Sequence, residues 1–197
     1  DEGRILCAGC SCAARAERVQ ATVITCAGSV ISPGFVNPHD HLGWTHNRPG
    51  DWGTERFEHR NDWREGLRGH TRVARRAGAS ERQQAWGELR HLLGGTTSIA
   101  SSGGGRGVLR NIDDDALNEQ LGAVAPQLDT FPLGDGDGFY LTDGCRYPRL
   151  PSEFVTQLTS WVPHAAEGID DASRNEFLCM SDAGRGVDAI GANAAVV

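Results

Sequence analysis

The sequence predicts an α/β protein that contains part of a (β/α)8, TIM-like barrel with a small β unit in front of it. From residue 34 onward, segments with helix signals alternate with short β-branched segments, a pattern typical of parallel sheets with helical connections. A closed barrel takes about 250 residues, whereas roughly 165 follow the β unit. We therefore expect two regions, the β unit over 1–33 and an incomplete barrel with five to six of the eight strands over 34–197.

The first elements follow from short apolar runs. In the β unit, strands are predicted over residues 4–7, 21–25 and 29–31, because small and polar residues separate these runs. Residues 34–41 begin apolar and end polar, as expected of a buried strand whose C-terminal end opens into a site. The segment 44–77 is expected to be a long loop that leads into an irregular helix.

Later segments alternate between helix and strand. Ser80 and Gln83 form a predicted capping box, and an apolar stripe runs to Leu93 before two glycines end the helix. The C-terminal residues 194–197 are apolar. This favours a barrel that stops partway round and leaves an unpaired edge prone to association with other chains. The other predicted elements are strands over 96–100, 128–131 and 160–162 and from 187, and helices over 113–121, from 152 and after Asp170.

Composition excludes two classes of partner. The 26 acidic and 19 basic residues give a formal charge of -7 and a pI near 5.4, so we expect neither nucleic acid nor an anionic membrane surface as a partner. No run approaches about 18 apolar residues, so no membrane span is predicted. The six cysteines leave the cellular compartment open. The spacing of Cys7, Cys10, Cys12 and Cys26 suits either a metal site or a plain hairpin with small buried thiols or one disulfide.

Three histidines and one glutamate form a candidate metal site. His39 and His41 stand two apart at the end of a predicted strand, so their side chains leave the same face. His164 follows the strand over 160–162, and Glu167 comes three residues later. Neutral imidazole suits zinc or iron(II), and a carboxylate near the metal suits proton transfer. We expect one divalent metal, zinc in preference to iron(II), with Glu167 as the catalytic proton carrier.

Two residues on the next loop are candidates for substrate binding. His46 lies five residues beyond His41, at the end of the predicted barrel where a site would open. Trp44 on the same loop can stack on a planar ring, although packing of a lid explains it equally well.

These motifs resemble the metal-dependent amidohydrolase superfamily, in particular its deaminase-like and chlorohydrolase-like members. Residues 32–41, Ser-Pro-Gly-Phe-Val-Asn-Pro-His-Asp-His, are similar to its His-x-His signature. Residues 94–97, Gly-Gly-Thr-Thr, are similar to its Gly-x-Thr-Thr element, and residues 164–168, His-Ala-Ala-Glu-Gly, to its fifth-strand element. The resemblance implies strands of a β-sandwich before the barrel, metal-binding histidines at both motifs and a Glu that shuttles protons.

The chain departs from the family pattern in two ways. It contains no Lys, so the carboxylated Lys that bridges two metals in binuclear members is missing and a single metal is favoured. The family's sixth-strand His and eighth-strand Asp have no counterpart here. The chain is therefore expected to be an N-terminal fragment that is nearly inactive by itself.

The resemblance implies a hydrolase that cleaves a carbon–nitrogen bond in a small cyclic amide, amidine or amino-heterocycle with water activated by the metal. A carbon–halogen hydrolase would use the same site. A non-catalytic metal-binding or interaction domain is the alternative from another class. The expected partners are a small-molecule substrate and a second copy of the chain, which would associate through the unfinished barrel edge.

The arginines between residues 56 and 76 are not predicted to form a binding site. Six of them recur every four residues and are interleaved with carboxylates, and each step of four drifts by about 40° on a helix. They therefore do not form one basic stripe, and we expect a solvated, ion-paired segment. The series is Arg56, Arg60, Arg64, Arg68, Arg72 and Arg76.

Overall fold

The structure is a computed structural model that describes residues 5–15, 19–105, 108–119, 121 and 124–197. The chain forms two compact units, Asp1–Pro33 and Gly34–Val197.

The first unit does not contain the predicted β-sandwich strands. Its described residues include a 3-10 helix, Cys10–Ala14, and no strand; Arg4, where the first predicted strand begins, lies outside them. The side chains of Val23, Ile24 and Val30 are 62%, 76% and 92% exposed. Short strands are stable only when they pair and bury one face, and these apolar runs bury neither face. The prediction of strands here is therefore wrong.

A disulfide is the outcome for the N-terminal cysteines. Cys7 and Cys12 are bonded to each other, and Cys10 and Cys26 are free and exposed. The structure therefore contains one disulfide, but residues 10–14 form a 3-10 helix rather than the predicted hairpin, and the free thiols are exposed rather than buried.

The second unit is a small α/β assembly. Its helices are α1 (Arg60–Glu65), α2 (Glu81–Leu93) and α3 (Asp171–Ser181). Its strands are β1 (Phe35–Asn37), β2 (Thr96–Ile99), β3 (Arg110–Asn111), β4 (Gln127–Asp129) and β5 (Trp161–Pro163).

The predicted partial barrel is wrong. The strands form two separate parallel sheets, one in the order β1-β2-β3 and the other a β4-β5 pair. A barrel needs every strand to pair on both sides. Among the described strands only β2 lies between two others, although β5 also bonds residues 193–197 on the side away from β4. Each strand spans two to four residues. Proline explains part of this shortness, because Pro38 follows β1 directly, Pro163 ends β5 and proline has no N–H for the ladder.

Local signals predicted some elements correctly. The capping box is confirmed, since the Ser80 side chain accepts from Gln83 N and the Gln83 side chain accepts from Ser80 N.

The predicted helix over 113–121 is wrong, because its described residues form turns and the Asp113 carboxylate accepts from Ser101 N and Ser102 N. The strand predicted from residue 187 is wrong at that position, where Asp188 makes an isolated bridge with Ser181. Residues 193–197 form backbone hydrogen bonds with β5 instead.

The main hydrophobic core lies around β5 and α3. It contains Trp161, Leu133 and Met180, which are at most 1% exposed. The disulfide between Cys145 and Cys179 joins the loop before β5 to α3 within this core. A smaller core lies beside the other sheet and consists of Leu42, Ile99 and Leu109. In the described ranges, no helix has the length and apolar character needed to cross a bilayer.

Candidate metal centre

Three histidines from the two sheets converge on one point. His39 and His41 follow β1, and His164 follows β5. The Nε2 atom of His41 lies 3.0 Å from Nε2 of His39 and 3.1 Å from Nε2 of His164. One ring nitrogen from each residue lies within 4.8 Å of the other two. The three histidines, hereafter the His cluster, therefore lie close enough together to hold one metal ion.

The geometry and chemistry of the His cluster fit a divalent ion. Two nitrogens bound at about 2.0 to 2.1 Å in a tetrahedral site lie about 3.3 Å apart, close to the two measured separations. Burial is the main cause that lowers the pKa of His39 and of His164 below the usual 6.5, and repulsion by a neighbouring imidazole adds to it. A neutral imidazole is the form that binds metal, so burial prepares these rings as ligands.

Short polar side chains fix the turn that carries His39 and His41. The Asn37 side chain accepts from His39 N at 3.2 Å and donates to Asp40 Oδ2 at 3.1 Å. Asp40 Oδ1 accepts from His41 N at 2.6 Å, and Asp40 Oδ2 lies 3.0 Å from Nε2 of His91 on α2. Asn and Asp commonly bond nearby backbone in this way. The sequence after β1 therefore fixes the backbone from which both imidazoles extend.

The segment of residues 164–168 carries the third ligand and is held from several sides. His164 N donates to Asp129 O on β4 at 2.9 Å. Ala166 has a φ of 59°, a strained value for a residue with a Cβ, and its N–H donates to Glu176 Oε2 at 2.8 Å. At Gly168 a Cβ would overlap the Ser173 hydroxyl. We call this segment the 164–168 loop.

Glu167 lies near the His cluster and is already paired. Its Oε2 accepts from Nη1 of Arg60 at 2.9 Å, and its side chain is 29% exposed. Its negative charge opposes the lowering of the pKa of both His39 and His164, which places the charge within electrostatic reach of both rings. The role of Glu167 as the proton carrier stays a prediction.

His46 lies at a cavity beside α2. The cavity has a volume of about 580 Å³ and is also lined by Thr45, Trp86 and Val108, and no member of the His cluster lines it. Trp44 ends a 3-10 turn, Leu42–Trp44, and is 38% exposed. The proposed substrate contacts of His46 and Trp44 stay predictions.

Sequence reasoning missed the buried ionic groups around the site. Arg60, assigned above to a solvated, ion-paired segment, is ion-paired but only 1% exposed, so the expected solvation is wrong for this residue. Glu176 is also 1% exposed, and its Oε1 lies 3.0 Å from Nε2 of His59. Since His59 Nδ1 accepts from Asn61 N, its Nε2 must carry the proton and donate to Glu176. The only local signal was a capping box at His59, which does not indicate its distant partners.

No protein-family model matches the chain, and neither the curated proteins nor the solved structures contain a match to it. The resemblance to the amidohydrolases therefore rests on the three motifs, without the barrel.

Proposed function

We propose that the His cluster binds one divalent metal ion, zinc in preference to iron(II), and that the protein is a metal-dependent hydrolase of carbon–nitrogen bonds. The proposed substrates are small cyclic amides, amidines or amino-heterocycles. The observation that carries the proposal is the convergence of three ligand nitrogens, one from each of His39, His41 and His164, within 4.8 Å of one another. Residues 123 apart in sequence supply two of them.

In this proposal the His cluster binds the metal and Glu167 transfers protons. A bound zinc or iron(II) ion lowers the pKa of water and polarises the substrate. Glu167 would take a proton from the attacking water and deliver it to the departing nitrogen. Its Oε2 accepts from Arg60, which leaves Oε1 for this transfer. General acid and base assistance of this kind is worth about 10²- to 10⁴-fold in rate.

A non-catalytic metal site is the second candidate, and one observation favours it. The ion pair between Glu167 and the buried Arg60 gives this carboxylate a structural role whether or not it moves protons. A domain in which metal only stabilises the fold would use the same four residues. The two functions differ in whether the protein turns over a substrate, and only the catalytic one needs Glu167 for turnover.

Metal binding is tested by titrating the chain with Zn²⁺ by calorimetry. We expect one ion per chain and a loss of binding in His164→Ala, which removes one of the three ligands. His70→Ala is the matched control, because His70 contacts Glu55 and Asp62 and lies outside the His cluster. If wild type binds no metal, or if both variants bind equally well, the site is refuted.

Catalysis is tested on the full-length protein with a panel of cyclic amides, amidines and amino-heterocycles. We expect hydrolysis that a chelator abolishes and zinc or iron(II) restores. Glu167→Gln should lose about 10²- to 10⁴-fold in kcat and keep one metal per chain. A Glu167→Gln protein with full activity would refute the role of Glu167, and a panel with no turnover would favour the non-catalytic site.

A further inference from the structure

We infer that Arg60 is a positioning residue for the candidate metal centre, and that its buried guanidinium holds the 164–168 loop where His164 can act as a ligand. The inference rests on the proposed metal site and concerns a residue outside its ligand set.

The guanidinium of Arg60 joins the ends of two strands to the loop. Its Nη1 donates to the carbonyl oxygen of Thr130, just after β4, at 3.2 Å and to that of His164, just after β5, at 2.8 Å. The same nitrogen donates to Glu167 Oε2 at 2.9 Å. One buried group therefore contacts both the metal-ligand residue and the proposed proton carrier.

A buried carboxylate holds the guanidinium in turn. Nη2 of Arg60 forms an ion pair with Asp135, and both side chains are at most 1% exposed. A buried charge is stable only when it is paired, so Asp135 fixes where the guanidinium lies. A planar guanidinium presents several donors in fixed directions, whereas a lysine ammonium is a compact, flexible charge. Lysine at position 60 would keep the charge and lose the simultaneous contacts.

The backbone beside Arg60 meets the same loop. Arg60 N donates to Glu167 O at 2.8 Å, and His59 forms an antiparallel bridge with Gly168. The start of α1 is thus bonded to the loop through both main chain and side chain. Partners that bond the side chain of a metal ligand orient it, and their loss typically weakens metal binding by about 10- to 100-fold. Arg60 bonds the backbone of the ligand residue instead, so it would act through the position of the loop. We expect a loss of this size when Arg60 is replaced.

The test compares Arg60→Lys with Arg64→Lys by titration with Co²⁺. Arg64 is the matched control because both guanidiniums lie over the Phe131 ring, at 5.3 Å and 4.4 Å. Arg64 donates to Asn61 and Gly136 rather than to the 164–168 loop. Calorimetry gives the affinity, and the visible spectrum of bound cobalt reports its coordination. Circular dichroism identifies the variants that fold.

We expect Arg60→Lys to bind Co²⁺ about 10- to 100-fold more weakly and with an altered spectrum, while Arg64→Lys behaves as wild type. A purely structural role would lower the melting temperature and leave the affinity and the spectrum of the folded protein unchanged. If Arg60→Lys does not fold, Asp135→Asn replaces it, because this variant keeps Arg60 and weakens its anchor. We expect a shift in the same direction.

The possible failures are distinguishable. Wild type that binds neither cobalt nor zinc would refute the metal site itself, and the inference with it. Wild type that binds cobalt, with a folded Arg60→Lys or Asp135→Asn protein of equal affinity and identical spectrum, would refute the role of Arg60 alone.

Discussion

Removal of the disulfide between Cys145 and Cys179 should lower the free energy of unfolding by about 4 kcal/mol. The two cysteines are 34 residues apart. In the chain-entropy description, a crosslink across 34 residues restricts the unfolded chain by about 3.8 kcal/mol at 25 °C. Typical domains are stable by about 5 to 15 kcal/mol, so the loss would be a large share of the total.

The assay is urea unfolding of a Cys145→Ala/Cys179→Ala double variant, followed by tryptophan fluorescence. Trp161 belongs to the same core as the disulfide, so its emission should report the loss of that core. With a slope of about 2 kcal/mol per molar urea, the midpoint should fall by about 2 M. Cys10→Ala/Cys26→Ala is the matched control, because it also removes two sulfurs but breaks no bond.

Two results would refute this reasoning. A loss below about 1 kcal/mol, well under the crosslink value, would mean that the bond adds little restraint to the unfolded chain. An equal loss in the control would mean that the change comes from the removed thiols rather than from the crosslink.

Two further predictions concern burial around the site. Because the pKa values of His39 and His164 are lowered from 6.5, the unfolded chain binds more protons than the folded one below that pH. The stability present above pH 6.5 should therefore fall on acidification, and urea unfolding with chelator that shows equal or higher stability at pH 5.5 than at 7.5 would contradict this. Gly168→Ala should lower the free energy of unfolding by about 1 to 3 kcal/mol, because its Cβ would overlap the Ser173 hydroxyl and the Glu58 carbonyl oxygen. Unchanged thermal unfolding would show that the loop moves to accommodate the added methyl group.

The convergence of the three histidines was predictable from the sequence because its signals are local. His39 and His41 lie just beyond β1, in a turn where the side chains of Asn37 and Asp40 accept from their backbone N–H groups. His164 follows another predicted strand. The carboxyl ends of strands commonly carry site residues in α/β proteins, so these positions indicated a shared site even though the predicted barrel is wrong.

The architecture was not predictable from the same signals. Alternation of helix and strand indicates the order of elements along the chain and does not determine how many strands pair in one sheet. Asp113 illustrates the limit: it has the residue type of a helix cap, yet its carboxylate bonds the backbone of Ser101 and Ser102. Such a choice depends on residues that meet only after folding, as tertiary contacts often override local propensity.

The buried charges were unpredictable for the same reason. Arg60 belongs to a periodic run that looks solvated, and its ion-pair partner Asp135 lies 75 residues away. Glu176 meets His59 across 117 residues. Neither separation leaves a trace in spacing or composition.

The three histidines follow strands of two separate sheets, and this has a consequence for the rate of unfolding. A bound ion would close a loop of 123 residues between His41 and His164, and the cost of loop closure rises only slowly with length. The ion would therefore act as a reversible crosslink between the β1-β2-β3 sheet and the β4-β5 pair. The sheets could not separate while all three nitrogens held it, so the lifetime of the folded state would depend on the rate at which the ion leaves.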